Sequence, residues 1–153
     1  MPTTRTKAQL LEAIPLFSAC SRHEVAAIAH AMNAIRVPAG TTLADEGEPG
    51  HEFFVVVDGE ARVTLRGEAI ATLGAGNYFG EMALLDLGPR SATVEAETDM
   101  ELLVIERKDF LRLLDDVPIL ARRLLTGLAL HLRQAQDSPT ASWNRPAASW
   151  NRL

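Results

Sequence analysis

A mainly β domain, an antiparallel barrel or sandwich with helices before and after it, is what this sequence of 153 residues predicts. Three observations carry the prediction. Nine of the ten glycines fall within residues 40–88. The same stretch is built of brief β-branched or aromatic runs of strand length, joined by turn residues. On both sides of it apolar residues recur at spacings of three and four, the period of a helix. The length suits one domain and is too short for two.

Taken in order, Leu11, Ile14, Leu16, Phe17, Val25, Ile28, Ala29 and Met32 predict short helices interrupted at Pro15, whose ring and missing N–H break a continuous one. Ser21 with Glu24 three residues on is a capping box opening the helix that runs to Met32. Strands are expected at 41–43, 53–57, 61–65, 93–96 and 102–105, within a β region spanning 35–106. Tight turns at Gly40, Gly47, Gly59 and Gly74 are expected to need positive φ.

Helical spacing resumes with Phe110, Leu111, Leu113 and Leu114. Pro118 then stands where the first turn of a second helix tolerates its missing donor. Leu120, Leu124, Leu128 and Leu132 follow at steps of four beside Ala121, Leu125 and Ala129. That stripe is wide enough to pack on the β region and still offer a face for a homodimer. The expected plan is helices over 8–33, strands over 35–106, helices over 107–136 and a flexible tail over 137–153. Ala-Ser-Trp-Asn-Arg occurs twice in the tail, at 141–145 and 148–152, with Pro146 between the copies. Two copies are too few for a solenoid.

Fifteen Lys and Arg against 20 Asp and Glu give a net charge of −5, which opposes a large phosphate-tracking surface for duplex DNA. A single cysteine, Cys20, allows neither an internal disulfide nor a cysteine zinc cage and suits a reducing, cytoplasmic setting. Residues 1–7 lack the apolar core of a signal peptide, and no run approaches the ~20 apolar residues of a membrane span. His23, His30, His51 and His131 are scattered without metal-ligand spacing, so no metal site is expected. Cys20 has no partner for catalysis and reads as a plain thiol.

The segment with chemistry is Phe79-Gly80-Glu81-Met82-Ala83-Leu84-Leu85-Asp86-Leu87-Gly88-Pro89-Arg90-Ser91-Ala92-Thr93. Gly80 permits a sharp turn, residues 83–85 suit one helical turn, and Gly88-Pro89 returns the chain to a strand near Ser91. An exposed first helical turn has free N–H groups and partial positive charge, a seat for a phosphate oxygen. Arg90 adds a planar fork that holds two oxygens at once, and Ser91 adds a hydroxyl donor. Glu81 would repel an anion; it suits sugar hydroxyls, or a brace for Arg90 in the empty site. A ligand with both phosphate and hydroxyl groups is implied.

These residues resemble the phosphate-binding cassette of cyclic nucleotide-binding domains, whose pattern is F-G-E-x-A-L, a short insert, then P-R-x-A-T. Phe79, Gly80, Glu81, Ala83, Leu84, Pro89, Arg90, Ala92 and Thr93 match it in register. The nine-residue step from Glu81 to Arg90 equals that of protein kinase regulatory subunits and cyclic nucleotide-gated channels. Pro15-Leu16-Phe17, Val37-Pro38-Ala39-Gly40, Glu46-Gly47 and Val57-Asp58-Gly59-Glu60 look like other parts of the family, so the likeness covers residues 14–136.

The resemblance implies an eight-stranded antiparallel β-roll, jelly-roll-like, with N-terminal helices and C-terminal lid helices. It implies a ligand site of Gly80, Glu81, Met82, Ala83, Arg90, Ser91 and Ala92. Glu81 and the Gly80 main chain would take the ribose 2′-hydroxyl, and Arg90, Ser91 and the Ala83 N–H the cyclic phosphate. The expected function is sensing, without turnover and without a cofactor. Leu84 or Leu85 would relocate and residues 118–136 would move as the lid. Ser91 stands where cAMP-binding transcription factors carry serine, which favours cAMP over cGMP, although a hydroxyl there also suits the exocyclic amine of guanine.

Two further readings stay open. One is a catabolite-activator-type transcription regulator lacking its DNA-binding part, because residues 138–153 contain no recognition helix. The other is a ligand-free protein-interaction module that uses the Leu120 to Leu132 face and the tail. Trp143 and Trp150 are candidates for stacking on the base, and His131 or Arg133 for a polar contact with it.

Overall fold

The computed structural model describes residues 5–137. Helix α1 (Lys7–Glu12) and helix α2 (Arg22–Ala31) flank a single 3₁₀ turn at Pro15–Phe17, where proline takes the first position. The predicted capping box opens α2: Ser21 Oγ accepts from the Glu24 N–H at 3.1 Å, and Glu24 Oε1 accepts from the Ser21 N–H at 2.8 Å. Thr6 and Gln9 form a second such box at α1.

Eight strands follow: β1 (Asn33–Val37), β2 (Thr42–Ala44), β3 (Glu52–Asp58), β4 (Ala61–Leu65), β5 (Glu68–Leu73), β6 (Tyr78–Phe79), β7 (Thr93–Ala96) and β8 (Met100–Glu106). Helix α3 (Glu81–Asp86) interrupts them between β6 and β7, and α4 (Arg107–Asp116) and α5 (Pro118–Asp137) complete the described chain. The strands form two four-stranded antiparallel sheets, ordered β1-β8-β3-β6 and β2-β7-β4-β5. This is the eight-stranded antiparallel β-roll that the resemblance implies.

Strands β3 and β8 are the wall between two cores. Phe54, Val56, Leu102 and Val104 enter the space between the sheets with Val63, Leu73, Phe79 and Val94. Their neighbours Phe53, Val55, Leu103 and Ile105 point the other way, onto Leu11, Ile28, Phe110, Leu113, Leu120 and Leu124 of the helices. Alternation along a strand puts successive side chains on opposite faces, so burial of both faces produces the unbroken apolar runs at 53–57 and 102–105.

The differences from expectation have physical causes. The first strand starts at Asn33, two residues before the expected edge of the β region. Strands β1, β5 and β6 were not among the expected five: β1 has no fully buried residue, β5 carries its burial mainly at Leu73, and β6 has only two residues. Gly40, Gly47 and Gly59 do take positive φ, but Gly74 does not; its N–H donates to Asn77 Oδ1 at 2.8 Å. Along α5 the predicted stripe divides, with Leu120 and Leu124 buried while Leu128 is half-buried and Leu132 is 38% exposed. The repeated tail with Trp143 and Trp150 lies outside the described residues.

Candidate functional site

The site begins where β6 ends. Phe79 is buried and stacks on Phe54 at 4.7 Å between ring centroids, and the chain then turns at Gly80 with φ 101°. A Cβ there would lie 2.7 Å from both Arg90 Nη1 and the Glu52 carbonyl, so Gly80 is required by conformation and by space. Helix α3 follows with its first turn inward: Glu81, Ala83 and Leu84 are each 1% exposed. Leu85 and Leu87 face solvent, and Leu87 ends the helix in the left-handed region at φ 61°.

Arg90 is held through its main chain by the 47–49 loop. Its N–H donates to the Glu48 carbonyl at 2.8 Å, and its carbonyl accepts from the Gly47 N–H at 2.9 Å. Its side chain is buried, with Nη2 donating to the Glu52 carbonyl at 2.8 Å and Nη1 to the Gly80 carbonyl at 3.3 Å. The guanidinium carbon lies 5.9 Å from the centroid of the Phe54 ring, over its face. Gly50 leaves room for this packing, since a Cβ there would stand 2.6 Å from Arg90 Nε and 2.8 Å from the Ala83 Cβ.

A second cation braces the same turn. Arg107, the first residue of α4, donates through Nη2 to the Gly50 carbonyl at 3.0 Å and to the Ala83 carbonyl at 3.4 Å. Its Nε is buried without a hydrogen-bond partner.

The electrostatics centre on Glu81. Neither carboxylate oxygen meets a donor on another residue, although the group is almost fully enclosed. Burial therefore holds its pKa well above the ordinary carboxylate range, opposed in part by its own main-chain N–H and by the Arg90 charge. Burial also lowers the Arg90 pKa, while Glu52 and Glu81 raise it and Arg107 lowers it further. Arginine's starting value is high enough that Arg90 stays a cation at neutral pH.

The structure brings Gly80, Glu81, Ala83 and Arg90 together. Met82 and Ser91 are half-buried beside them, and Ala92 points into the core between the sheets. Two expectations are corrected. The first turn of α3 is enclosed, not exposed, because Glu81, Ala83 and Leu84 pack inward. Glu81 does not brace Arg90 through a salt bridge; the guanidinium takes main-chain carbonyls instead. Gly50, Glu52 and Arg107 are additions that sequence reasoning missed, and only the turn dipeptide Pro49-Gly50 signalled a loop there.

A cavity of about 190 Å³ reaches Arg90 from the side of Thr42, Asp45, Glu48, His51 and Glu52. Two larger clefts share Arg5, and no cassette residue lines either. Among the described residues no cluster of His, Cys, Asp and Glu is suited to a metal ion, and no helix is long and apolar enough to cross a membrane.

A buried carboxylate without a donor, a buried guanidinium on carbonyl groups and a glycine-lined turn fit a ligand that brings both hydroxyl and anion. Comparison with known proteins agrees. The sequence pattern of the cyclic nucleotide-binding domain matches residues 34–117. A cAMP-dependent protein kinase regulatory subunit of Aspergillus niger is 42% identical over 115 residues, which are 74% of this chain and 28% of that protein. The chain thus spans little more than a quarter of that relative. The catabolite activator protein of Thermus thermophilus superposes with a TM-score of 0.74 at 36% identity, covering 80% of this chain and 60% of that one. The regulatory domain of Toxoplasma gondii PKA with cAMP gives 0.71 at 27% identity, covering 80% and 48%.

Proposed function

The chain belongs to the cyclic nucleotide-binding domain family, and we propose that it is a regulatory domain that reversibly binds a cyclic nucleotide, cAMP in preference to cGMP. The observation that carries this reading is the Glu81 carboxylate, buried without a donor. A buried acceptor left unpaired costs roughly 1–3 kcal/mol, more when charged, and a ribose 2′-hydroxyl is the donor that removes the cost. In this reading Glu81 and the Gly80 main chain take that hydroxyl. Arg90, Ser91 and the Ala83 N–H take the cyclic phosphate, with Met82 and Ala92 beside them.

Arg90 cannot grip a phosphate with its whole fork while it serves the Glu52 and Gly80 carbonyls. Binding then exchanges those bonds for phosphate oxygens and draws the cassette to a new position. Leu84 is buried in the core shared with the helices, and Leu85 beside it is 43% exposed, so either can repack as the cassette moves. Helix α5 is the element that reports occupancy, and its exposed Leu125, Leu130 and Leu132 support a homodimer through the same helix. The similarity to cAMP-dependent kinase subunits and to a cAMP-bound regulatory domain supports the preference for cAMP.

Calorimetric titration with cAMP and with cGMP tests the proposal. Saturable heat with tighter binding of cAMP is expected. Absence of heat with both nucleotides overturns it, and tighter cGMP binding overturns the preference alone.

A further inference from the structure

Gly127 stands in the interior of α5, where glycine is the poorest helix former after proline. The packing explains it. A Cβ at residue 127 would lie 2.7 Å from the Tyr78 hydroxyl oxygen, well inside van der Waals contact. The absent side chain makes a notch, and the phenol tip fills it.

Tyr78 has contacts on three sides. Its main chain pairs with Val55 of β3, and two residues later the chain turns at Gly80 into the cassette. Its ring lies 5.6 Å from that of Phe53, which stacks at 4.8 Å on Phe110 of α4. We propose that Tyr78 is a positioning residue through which the cassette sets the place of α5, with its hydroxyl seated in the Gly127 notch. The proposal rests on the sensing function above and names the contact that transmits it. Movement of the cassette displaces β6, and β6 carries the phenol that locates the helix. In keeping with this placement, burial and the nearby Glu81 push the Tyr78 hydroxyl up to about 12.

The test is hydrogen exchange of α5 in the full chain, with and without cAMP, for wild type, Gly127→Ala, Tyr78→Phe and the double variant. Helix propensity alone predicts that Gly127→Ala slows exchange in α5 roughly fivefold. The notch predicts the opposite sign, exchange about tenfold faster without nucleotide, as an overpacked methyl displaces the helix. Tyr78→Phe removes the hydroxyl and keeps the ring, so it should restore wild-type exchange in the Gly127→Ala background. Alone, it should bind cAMP but shrink the cAMP-dependent change in α5, which a merely structural ring would leave intact.

Slower exchange in Gly127→Ala, or no rescue in the double variant, overturns the notch. An undiminished α5 response in Tyr78→Phe overturns its positioning role. Failure of wild type to bind either cAMP or cGMP by calorimetry would instead remove the sensing function, and the nucleotide-free comparison would still decide the notch.

Discussion

Arg90 donates to the main-chain carbonyl of Glu52 at 2.8 Å and forms no salt bridge with Glu81 of the same cassette. The arrangement leaves the carboxylate in need of a donor and commits the guanidinium to groups that a phosphate would have to replace.

Arg90→Ala should therefore act on both states. Loss of a buried pair of charge-assisted bonds should destabilise the nucleotide-free domain by about 1–3 kcal/mol. At nucleotide about 100 times the wild-type dissociation constant, the ~2.7 kcal/mol of added stability should vanish. Arg90→Lys keeps the charge without the fork and should recover only part of the affinity. Thermal melts with and without cAMP check each outcome.

Glu81 should make stability depend on pH in a direction opposite to that of a paired carboxylate. Its folded pKa is raised, so the folded state binds its proton more tightly than the unfolded state. The resulting stability is fully present below the ordinary carboxylate pKa and is lost as pH rises through the folded value. Glu81→Gln should remove that slope. Urea denaturation should then show the nucleotide-free variant gaining on wild type between acid and neutral pH, while calorimetry shows weaker nucleotide binding.

Gly50→Ala should displace Arg90, because the new Cβ meets Nε at 2.6 Å and Ala83 at 2.8 Å. Overpacking of this kind destabilises by about 1–3 kcal/mol. Nucleotide affinity should fall as well, although residue 50 lies forty positions before Arg90. Wild-type affinity in this variant would show that the guanidinium does not need this packing.

Leu87→Gly should stabilise the domain. Leu87 is 70% exposed, so little packing is lost, and its φ of 61° is a conformation that costs a non-glycine residue roughly 1–2 kcal/mol. A rise in melting temperature is expected. A fall would mean that the side chain contributes more than its exposure indicates.

How much of this was legible in the sequence depended on how local the signal was. The capping box of Ser21 and Glu24 and the turn at Gly80 depend on neighbours within a few residues, and both formed where the sequence predicts. Apolar runs at 53–57 and 102–105 marked the strands buried on both faces. Strand β5, with polar and small residues over most of its length, carried no comparable signal. At the site, Gly80, Glu81, Ala83 and Arg90 shared one cassette and were found together. The carbonyl partners of Arg90 and the brace from Arg107 join residues as many as 57 positions apart, and no spacing rule reaches that far.

The partition formed by β3 and β8 has a practical consequence for anyone trimming this protein. Stripping away the helical segments would bare Phe53, Val55, Leu103 and Ile105 to water, leaving an oily panel on a half-finished shell. A minimal soluble sensor made from this chain must retain α1, α2, α4 and the buried opening turns of α5.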